Sequence, residues 1–277
     1  MNQRMISLSL YLVRAVAFSL AGLLYLLLAL VFYFVLFDPR QHTPDIEYYI
    51  LVIGLFGAVL AFLITLTVTS RANSAVHFPF LVRLPSRVEY LASSFAAAFI
   101  FSAILQTLVA GLALVINGPD VSISKILIIP PLWTAANALF ISLALHATDL
   151  VASGWSRVYI FGVLAVLLYL QSLMEPISEW LSGVLARFST FLLSLGLSGI
   201  AAVVGDISDW LLDSGAGVLS SLAGILFWPF KAIAEATTTG SFNQLQALAP
   251  AILLLYATVL FLLAADFFAN KDLFLSE

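Results

Sequence analysis

Apolar residues in this chain come in long uninterrupted blocks, and short polar segments separate one block from the next. Most blocks approach or exceed the roughly 20 residues with which an α-helix crosses a hydrocarbon core of about 30 Å. A helix satisfies its backbone hydrogen bonds internally, as the bilayer requires. The pattern predicts an all-α, polytopic membrane protein of about six transmembrane helices, at Ala15–Phe37, Tyr48–Thr69, Leu91–Ile116, Ile126–Leu150, Val158–Met174 and Ala247–Phe268.

Composition agrees with this pattern. The 277 residues are 62% hydrophobic and 9% charged, whereas soluble proteins contain about 25% charged residues. The first block is longer than the apolar core of a signal peptide, about 7–15 residues, and no A-x-A-like cleavage site follows it. We therefore expect a retained first membrane helix and a single transmembrane domain over residues 1–277.

The positions of the basic residues predict the orientation, because cytoplasmic loops carry an excess of Lys and Arg. With the N-terminus inside, seven of the 11 basic residues lie on inner segments and four on outer ones. The inner group comprises Arg4, Arg14, Arg71, Arg83, Arg87, Arg157 and Lys271, and the outer group Arg40, Lys125, Arg187 and Lys231. We expect both termini in the cytoplasm. Asn-Gly-Pro-Asp (117–120) predicts a hairpin between spans three and four.

Residues 175–246 mix apolar stretches with acidic residues, glycine and tryptophan. Residues 175–204 could hold a seventh crossing, but Arg187 lies inside that run, and an arginine at the bilayer centre costs about 2.5–3.5 kcal/mol on insertion scales. The later apolar stretches are short, as in interfacial or re-entrant helices. Trp180, Trp210 and Trp228 fit anchors at the level of the lipid headgroups. We favour an outer amphipathic region, with a pair of half-crossings as the alternative.

Candidate catalytic chemistry is sparse. The chain has no cysteine, which excludes thiol catalysis, disulfides and cysteine-bound metal. His146 and Asp149 share a helix face and suggest a proton relay or half a metal site, but no third ligand is nearby, so a helix end at the inner interface is favoured. Asp206, Asp209 and Asp213 have helical spacing and suggest either a weak calcium site or a solvated face.

The polar residues inside the predicted spans are uncharged. Gln106, Asn137 and Gln171 are each expected to form an interhelical hydrogen bond, of about 0.6 kcal/mol on average. Absence of an acidic residue near the midplane argues against a carrier driven by protons or sodium. There is no G-x-x-x-x-G-K-[ST] sequence, so the chain has no Walker A loop of its own.

The inner loop between spans two and three, SRANSAVHFPFLVRLPSRVEYLA (70–92), is basic and also apolar. Its arginines are expected of any inner loop. Its apolar residues, bracketed by Pro79 and Pro85, additionally suggest a short helix on the membrane surface. Ser86 is expected to cap a helix whose first turn contains Glu89 and which continues into span three.

This loop resembles the corresponding inner loop of permease subunits of type-2 ABC exporters. Those subunits carry an arginine, a short apolar helix, and a Pro-[VS]-Ser-Arg-x-[EL]-Tyr/Phe-Leu pattern that enters the third helix. The matching residues here are Arg71, Leu81 to Leu84, Pro85, Ser86, Arg87, Glu89, Tyr90 and Leu91. Six spans with the N-terminus inside also fit that family. Residues 175–246 depart from it, being longer and more apolar than the usual outer hairpin.

The resemblance implies that residues 70–90 couple the chain to a separate ABC-type ATPase, with Arg71, Phe80, Arg83, Pro85, Arg87 and Glu89 as the coupling residues. It also implies a second permease copy or paralogue, and a place in the inner or plasma membrane. The chain would then be a permease rather than an enzyme, with no cofactor and no nucleic-acid partner. Its apolar walls favour a lipid-like or amphipathic cargo. The alternative is a non-transporting anchor or scaffold subunit of a larger membrane complex.

Overall fold

The computed structural model describes residues 3–40, 42, 45–73, 86–118, 123–151, 154–210, 216–239 and 246–270. Within these, residues 123–128, 154–156, 159, 164, 166–178, 216–223 and 237–239 are described by their backbone alone. The described residues are almost entirely helical and include no strand, which confirms the predicted all-α class. The helices are α1 (Gln3–Ala17), α2 (Leu20–Leu36), α3 (Ile46–Ala72), α4 (Arg87–Asn117), α5 (Ile123–His146), α6 (Gly154–Ser194), α7 (Ser198–Trp210), α8 (Ala216–Thr239) and α9 (Ala249–Asn270), and a 3₁₀ turn (Gln246–Leu248) precedes α9.

By length and composition, four of the described helices could cross a membrane, in the segments Ile46–Ala72, Arg87–Asn117, Ile129–His146 and Gln246–Asn270. A fifth crossing is obtained if the bent pair α1 and α2 counts as one span. The fifth predicted span, Val158–Met174, lies within the helix α6, but most of its side chains are outside the described residues. The count of six spans therefore stays a prediction.

The first predicted span, Ala15–Phe37, is not one continuous helix, because it includes the end of α1 and the whole of α2. The chain bends by 72° between α1 and α2. Ser19 caps α2: its Oγ donates to Val16 O at 2.6 Å and accepts from Gly22 N at 3.4 Å. A Cβ on Gly22 would lie 2.4 Å from the carbonyl oxygens of Val16 and Ala17. Because Gly22 has no side chain, the start of α2 can pack directly against the end of α1.

The chain divides into two compact units, Met1–Arg157 with Pro229–Glu277, and Val158–Trp228. In the first unit, α3 packs against α4 and α5, α5 packs against α9, and α1 contacts α4. The helix termini of the first unit form two groups, here called its first end and its second end. The first end contains the C-terminal ends of α1, α3 and α9 and the start of α4. The second end contains the ends of α2 and α4, where Tyr33 Oη donates to Asn117 Oδ1 at 3.1 Å.

Polar side chains join the helices of the first unit across its apolar core. Gln106 Nε2 donates to Ile53 O at 3.1 Å, and Asn137 Nδ2 donates to Gln106 Oε1 at 2.7 Å. These bonds connect α3, α4 and α5, and they confirm the predicted interhelical roles of Gln106 and Asn137. The side chain of Gln171 lies outside the described residues. Gly57 leaves room for this pair, because a Cβ there would lie 2.2 Å from the Gln106 amide.

In the second unit, α6 and α7 form an antiparallel hairpin. Leu197 N donates to Leu192 O at 3.1 Å and Gly196 N donates to Leu193 O at 3.0 Å, the bond pair of a Schellman turn. Gly196 has φ 77°, a left-handed conformation that glycine adopts without a steric penalty. This turn divides residues 175–204 between α6 and α7, so they are not one straight helix.

We expect Gly22→Ala to destabilise the protein, because the new methyl group would meet two backbone oxygens that cannot move independently of α1. Overpacking of this kind costs about 1–3 kcal/mol, and each kcal/mol lowers the melting temperature of a protein this size by about 2–4 °C. Thermal unfolding in detergent, followed by circular dichroism, measures the change. Gly111→Ala is the matched control, because beyond the neighbouring backbone of its own helix the added Cβ would have nothing within 4 Å. Equal melting temperatures for the two variants would contradict this account of the bend.

Candidate functional site

Three side chains at the first end of the first unit each bind a carbonyl at the end of another helix. Arg71 Nη1 donates to Ala15 O of α1 at 2.7 Å. Tyr90 Oη donates to Ala72 O of α3 at 2.7 Å in a buried position, and Arg87 Nη1 donates to Ala269 O of α9 at 3.1 Å in an exposed one, where the charge of the guanidinium adds to the bond. The carbonyls in the last turn of a helix have no partner within it. These donors therefore supply hydrogen bonds to carbonyls of α1, α3 and α9 that have no donor within their own helix.

The two arginines also suit these positions electrostatically. The C-terminal end of a helix carries a partial negative charge, and a cation beside it contributes typically 0.3–1 kcal/mol. Arg71 lies in the last turn of α3 and reaches α1, while Arg87 begins α4 and reaches α9. Each arginine therefore joins a helix that borders residues 74–85 to a helix that lies elsewhere in the sequence.

The start of α4 is fixed by its own cap. Ser86 has extended backbone angles, and its Oγ accepts a hydrogen bond from Glu89 N at 3.2 Å. This confirms the predicted cap. Tyr90 is fully buried, and its ring lies 6.4 Å from that of the buried Phe268 in α9. The first turn of α4 is thus held by its cap, by α3 and by α9.

Of the six predicted coupling residues, the structure describes Arg71, Arg87 and Glu89, and it brings the two arginines into the contacts above. Glu89 is half-buried, and its Oε2 is buried without a hydrogen bond among the described residues. Phe80, Arg83 and Pro85 lie outside the described residues. Contact of any of the six with an ATPase stays a prediction. Sequence reasoning missed the hydroxyl of Tyr90, whose only sequence signal was its position in the Ser-Arg-x-Glu-Tyr pattern.

A polar cavity of about 220 Å³ opens near the same helix ends. It lies between the last turn of α3, with Thr69, Ser70 and Asn73, and the turn after α5, with Thr148 and Asp149. Thr69 and Thr148 direct their hydroxyls to carbonyls of their own segments. These two hydroxyls of the lining therefore already have hydrogen-bond partners.

His146 and Asp149 do not act as a pair. His146 is fully buried, with Nε2 2.9 Å from Leu260 O of α9. Asp149 forms an ion pair with Arg157 instead. Among the residues that the structure describes, no group of three or more histidine or acidic side chains could hold a metal ion. Asp206 and Asp209 are exposed on α7, and Asp213 lies outside the described residues.

Comparison with protein-family models, curated proteins and solved structures finds no match to this chain.

Tyr90→Phe is expected to destabilise the first unit by about 1 kcal/mol, because a buried hydrogen bond is lost and Ala72 O remains buried. Tyr48→Phe is the matched control. Tyr48 Oη also donates to a helix-end carbonyl, Leu36 O of α2 at 3.0 Å, but that bond is exposed and water can replace it. Unfolding in detergent with a chemical denaturant compares the two. A loss for Tyr48→Phe as large as that for Tyr90→Phe would contradict this interpretation.

Proposed function

We propose that this chain is the membrane-spanning subunit of an ATP-driven exporter of the type-2 ABC class, which works with a separate ATPase subunit. The observation that carries the proposal is the pair of arginine contacts on either side of residues 74–85. A loop that receives force from a partner must transmit it to several helices. The helices α3 and α4 border this loop directly, and Arg71 and Arg87 extend the connection to α1 and α9.

These contacts would transmit a movement of residues 74–85 to four helices of the permease. When ATP closes the partner subunits, residues 74–85 move and displace the end of α3 and the start of α4. Arg71 carries α1 with α3, and Arg87 carries α9 with α4. Both arginines thus have a positioning role inside the permease, and the direct contacts with the ATPase are assigned mainly to Phe80, Arg83 and Pro85. Two permease chains, identical or paralogous, complete the assembly.

The proposed location is an inner or plasma membrane, with both termini in the cytoplasm. The positions of the charged residues support this orientation. Arg14, Arg71 and Arg87 lie at the first end of the first unit, whereas Arg40 follows α2 at the second end. The positive-inside rule then favours the first end as the cytoplasmic one. Residues 74–85 adjoin that end, where a cytoplasmic ATPase can reach them.

The proposed cargo is lipid-like or amphipathic. In the four helices that could cross a membrane, charged residues occur only in the first or last five positions. A polar or ionic cargo would need charged or strongly polar groups along its path, because desolvating it costs free energy. An amphipathic lipid needs them only at the membrane surfaces.

Purification of the tagged chain from its native membranes in mild detergent tests the function. We expect a protein with a Walker A sequence and an ABC signature to copurify, and the complex to hydrolyse ATP. Recovery of the chain alone, or with partners that bind no nucleotide, would contradict the proposal. A Walker A lysine-to-alanine change in that partner is the control that assigns the hydrolysis to it.

Arg83→Glu is expected to reduce recovery of the ATPase at least tenfold, because a charge-assisted hydrogen bond becomes a repulsion, a change of more than about 1.4 kcal/mol. Arg40→Glu, at the second end, is the matched control and should leave recovery unchanged. Membrane insertion of both variants is checked by alkaline extraction. Normal recovery of the ATPase with Arg83→Glu would exclude this residue from the contact.

A scaffold subunit is the second candidate, and the hydrogen bonds inside the first unit are compatible with it. Gln106, Asn137, Trp133 and Ser142 each join one helix to a neighbour in the core. A core joined in this way suits a rigid anchor as well as a transporter. The copurification above separates the two candidates, because an anchor would bring down a complex without an ABC ATPase.

A further inference from the structure

The polar cavity of about 220 Å³ lies where two helices of the first unit end. Its lining comes from the last turn of α3, which ends at Ala72, and from the turn that follows α5, which ends at His146. The C-terminal end of a helix carries a partial negative charge. A cation bound between the two ends would therefore be stabilised by both helices, and an anion there would be repelled by both.

Two arginines are neighbours of lining residues, but neither lines the cavity itself. Arg71, in the last turn of α3, donates to Ala15 O of α1 at 2.7 Å. Arg157 forms an ion pair with Asp149, whose carboxylate belongs to the lining. The lining therefore contains one anionic side chain and no cationic one.

The two threonines of the lining have no proton left for a ligand. Thr69 Oγ1 donates to Thr65 O at 2.7 Å, and Thr148 Oγ1 donates to Leu145 O at 2.7 Å. A hydroxyl has one proton and two lone pairs, so these oxygens retain only the capacity to accept. The ionised carboxylate of Asp149 is also an acceptor without a proton. Three of the five polar side chains in the lining therefore require a ligand that donates hydrogen bonds.

The other two polar side chains, Ser70 and Asn73, are exposed and adaptable. A serine hydroxyl rotates and has two lone pairs, and an asparagine amide presents either its oxygen or its nitrogen. Both can therefore accept hydrogen bonds as well. A ligand rich in N–H donors finds an acceptor on each of the five polar side chains, whereas a ligand made of acceptors finds a donor on only two of them.

The size and the chemistry of the lining narrow the kind of cation. Divalent metal ions take several carboxylate ligands, and the described residues include no group of three or more histidine or acidic side chains that could hold one. A quaternary ammonium ion is typically bound by aromatic rings, but the three remaining lining residues are leucine or alanine. A primary ammonium group has three N–H donors, which match a lining of acceptors. A cavity of about 150 Å³ already holds benzene, so this one also has room for the carbons beside the nitrogen.

We propose that this cavity binds a primary ammonium group, R–NH₃⁺, between the ends of α3 and α5. Both helices belong to segments that could cross a membrane, Ile46–Ala72 and Ile129–His146, so their ends lie at the level of the lipid headgroups. The ethanolamine headgroup of a phospholipid presents this ammonium group at that level, and a free amine presents the same group from the aqueous side. The inference does not depend on the export function.

Native mass spectrometry of the full chain in detergent tests the proposal. The probes are phosphatidylethanolamine and phosphatidylcholine with identical acyl chains, which differ only in the three methyl groups that replace the N–H donors. We expect the dissociation constant of phosphatidylethanolamine to be lower by at least about tenfold, because a hydrogen bond to a charged group contributes that much or more. Free ethanolamine in excess distinguishes the two sources: displacement of the lipid assigns the site to amines in general, and its absence assigns the site to the lipid.

Two variants locate the preference in the cavity. Asp149→Asn removes its anionic acceptor, and Ser70→Phe fills the space from an exposed position on α3. Each should reduce the preference for phosphatidylethanolamine to less than about twofold. Asp38→Asn is the matched control, because it neutralises an exposed carboxylate at the second end, and it should leave the preference unchanged. Thermal unfolding followed by circular dichroism checks that each variant is folded, and Ser70→Phe keeps the test valid if Asp149→Asn is not.

Two results would overturn the proposal. Equal dissociation constants of the two lipids for the unmodified chain would show that no site selects the ammonium protons. A tenfold preference that persists in a folded Ser70→Phe variant would place the selective site outside this cavity.

Discussion

A carbonyl at the end of a helix needs a donor from outside that helix, and in an apolar protein few donors are available. This constraint organises the first end of the first unit. The helices α1, α3 and α9 finish there, and one side chain from α3 or α4 binds a last-turn carbonyl of each. Two of these donors are arginines, in a chain that has only 11 arginines and lysines in total. The proposed route of force transmission follows these same contacts.

Many polar side chains in the described part of the chain join one helix to another. Serine, threonine and tyrosine hydroxyls and the amides of Gln106 and Asn137 bind carbonyls or one another. Close approach of the helices depends on small residues at the contacts, as at Gly22 and Gly57. In a membrane the apolar surroundings do not themselves drive helices together, so packing and hydrogen bonds of this kind determine their arrangement. The hydroxyls of Ser182 and Ser208, 2.9 Å apart in the hairpin of α6 and α7, follow the same rule.

Periodicity and apolar length predict the helical class and the approximate positions of α3, α4, α5 and α9, because a long apolar run has one stable form in lipid. The cap at Ser86 is also predicted, since its signal is local. The bend at Ser19 is not, because the apolar residues continue through it without a break. The turn at Gly196 was likewise hidden within an apolar run. The bonds of Arg71 and Tyr90 join positions far apart in sequence, and no local pattern encodes such a contact.

The central claim is that Arg71 and Arg87 fix the ends of α1 and α9 to α3 and α4, the helices that precede and follow residues 74–85 in the chain. Pulsed electron paramagnetic resonance between spin labels at Leu10 of α1 and Phe267 of α9 tests it most directly, since both side chains are exposed. The account predicts a narrow distance distribution that broadens markedly in Arg71→Ala/Arg87→Ala and stays narrow in Arg40→Ala. An unchanged distribution in the double variant would contradict the claim.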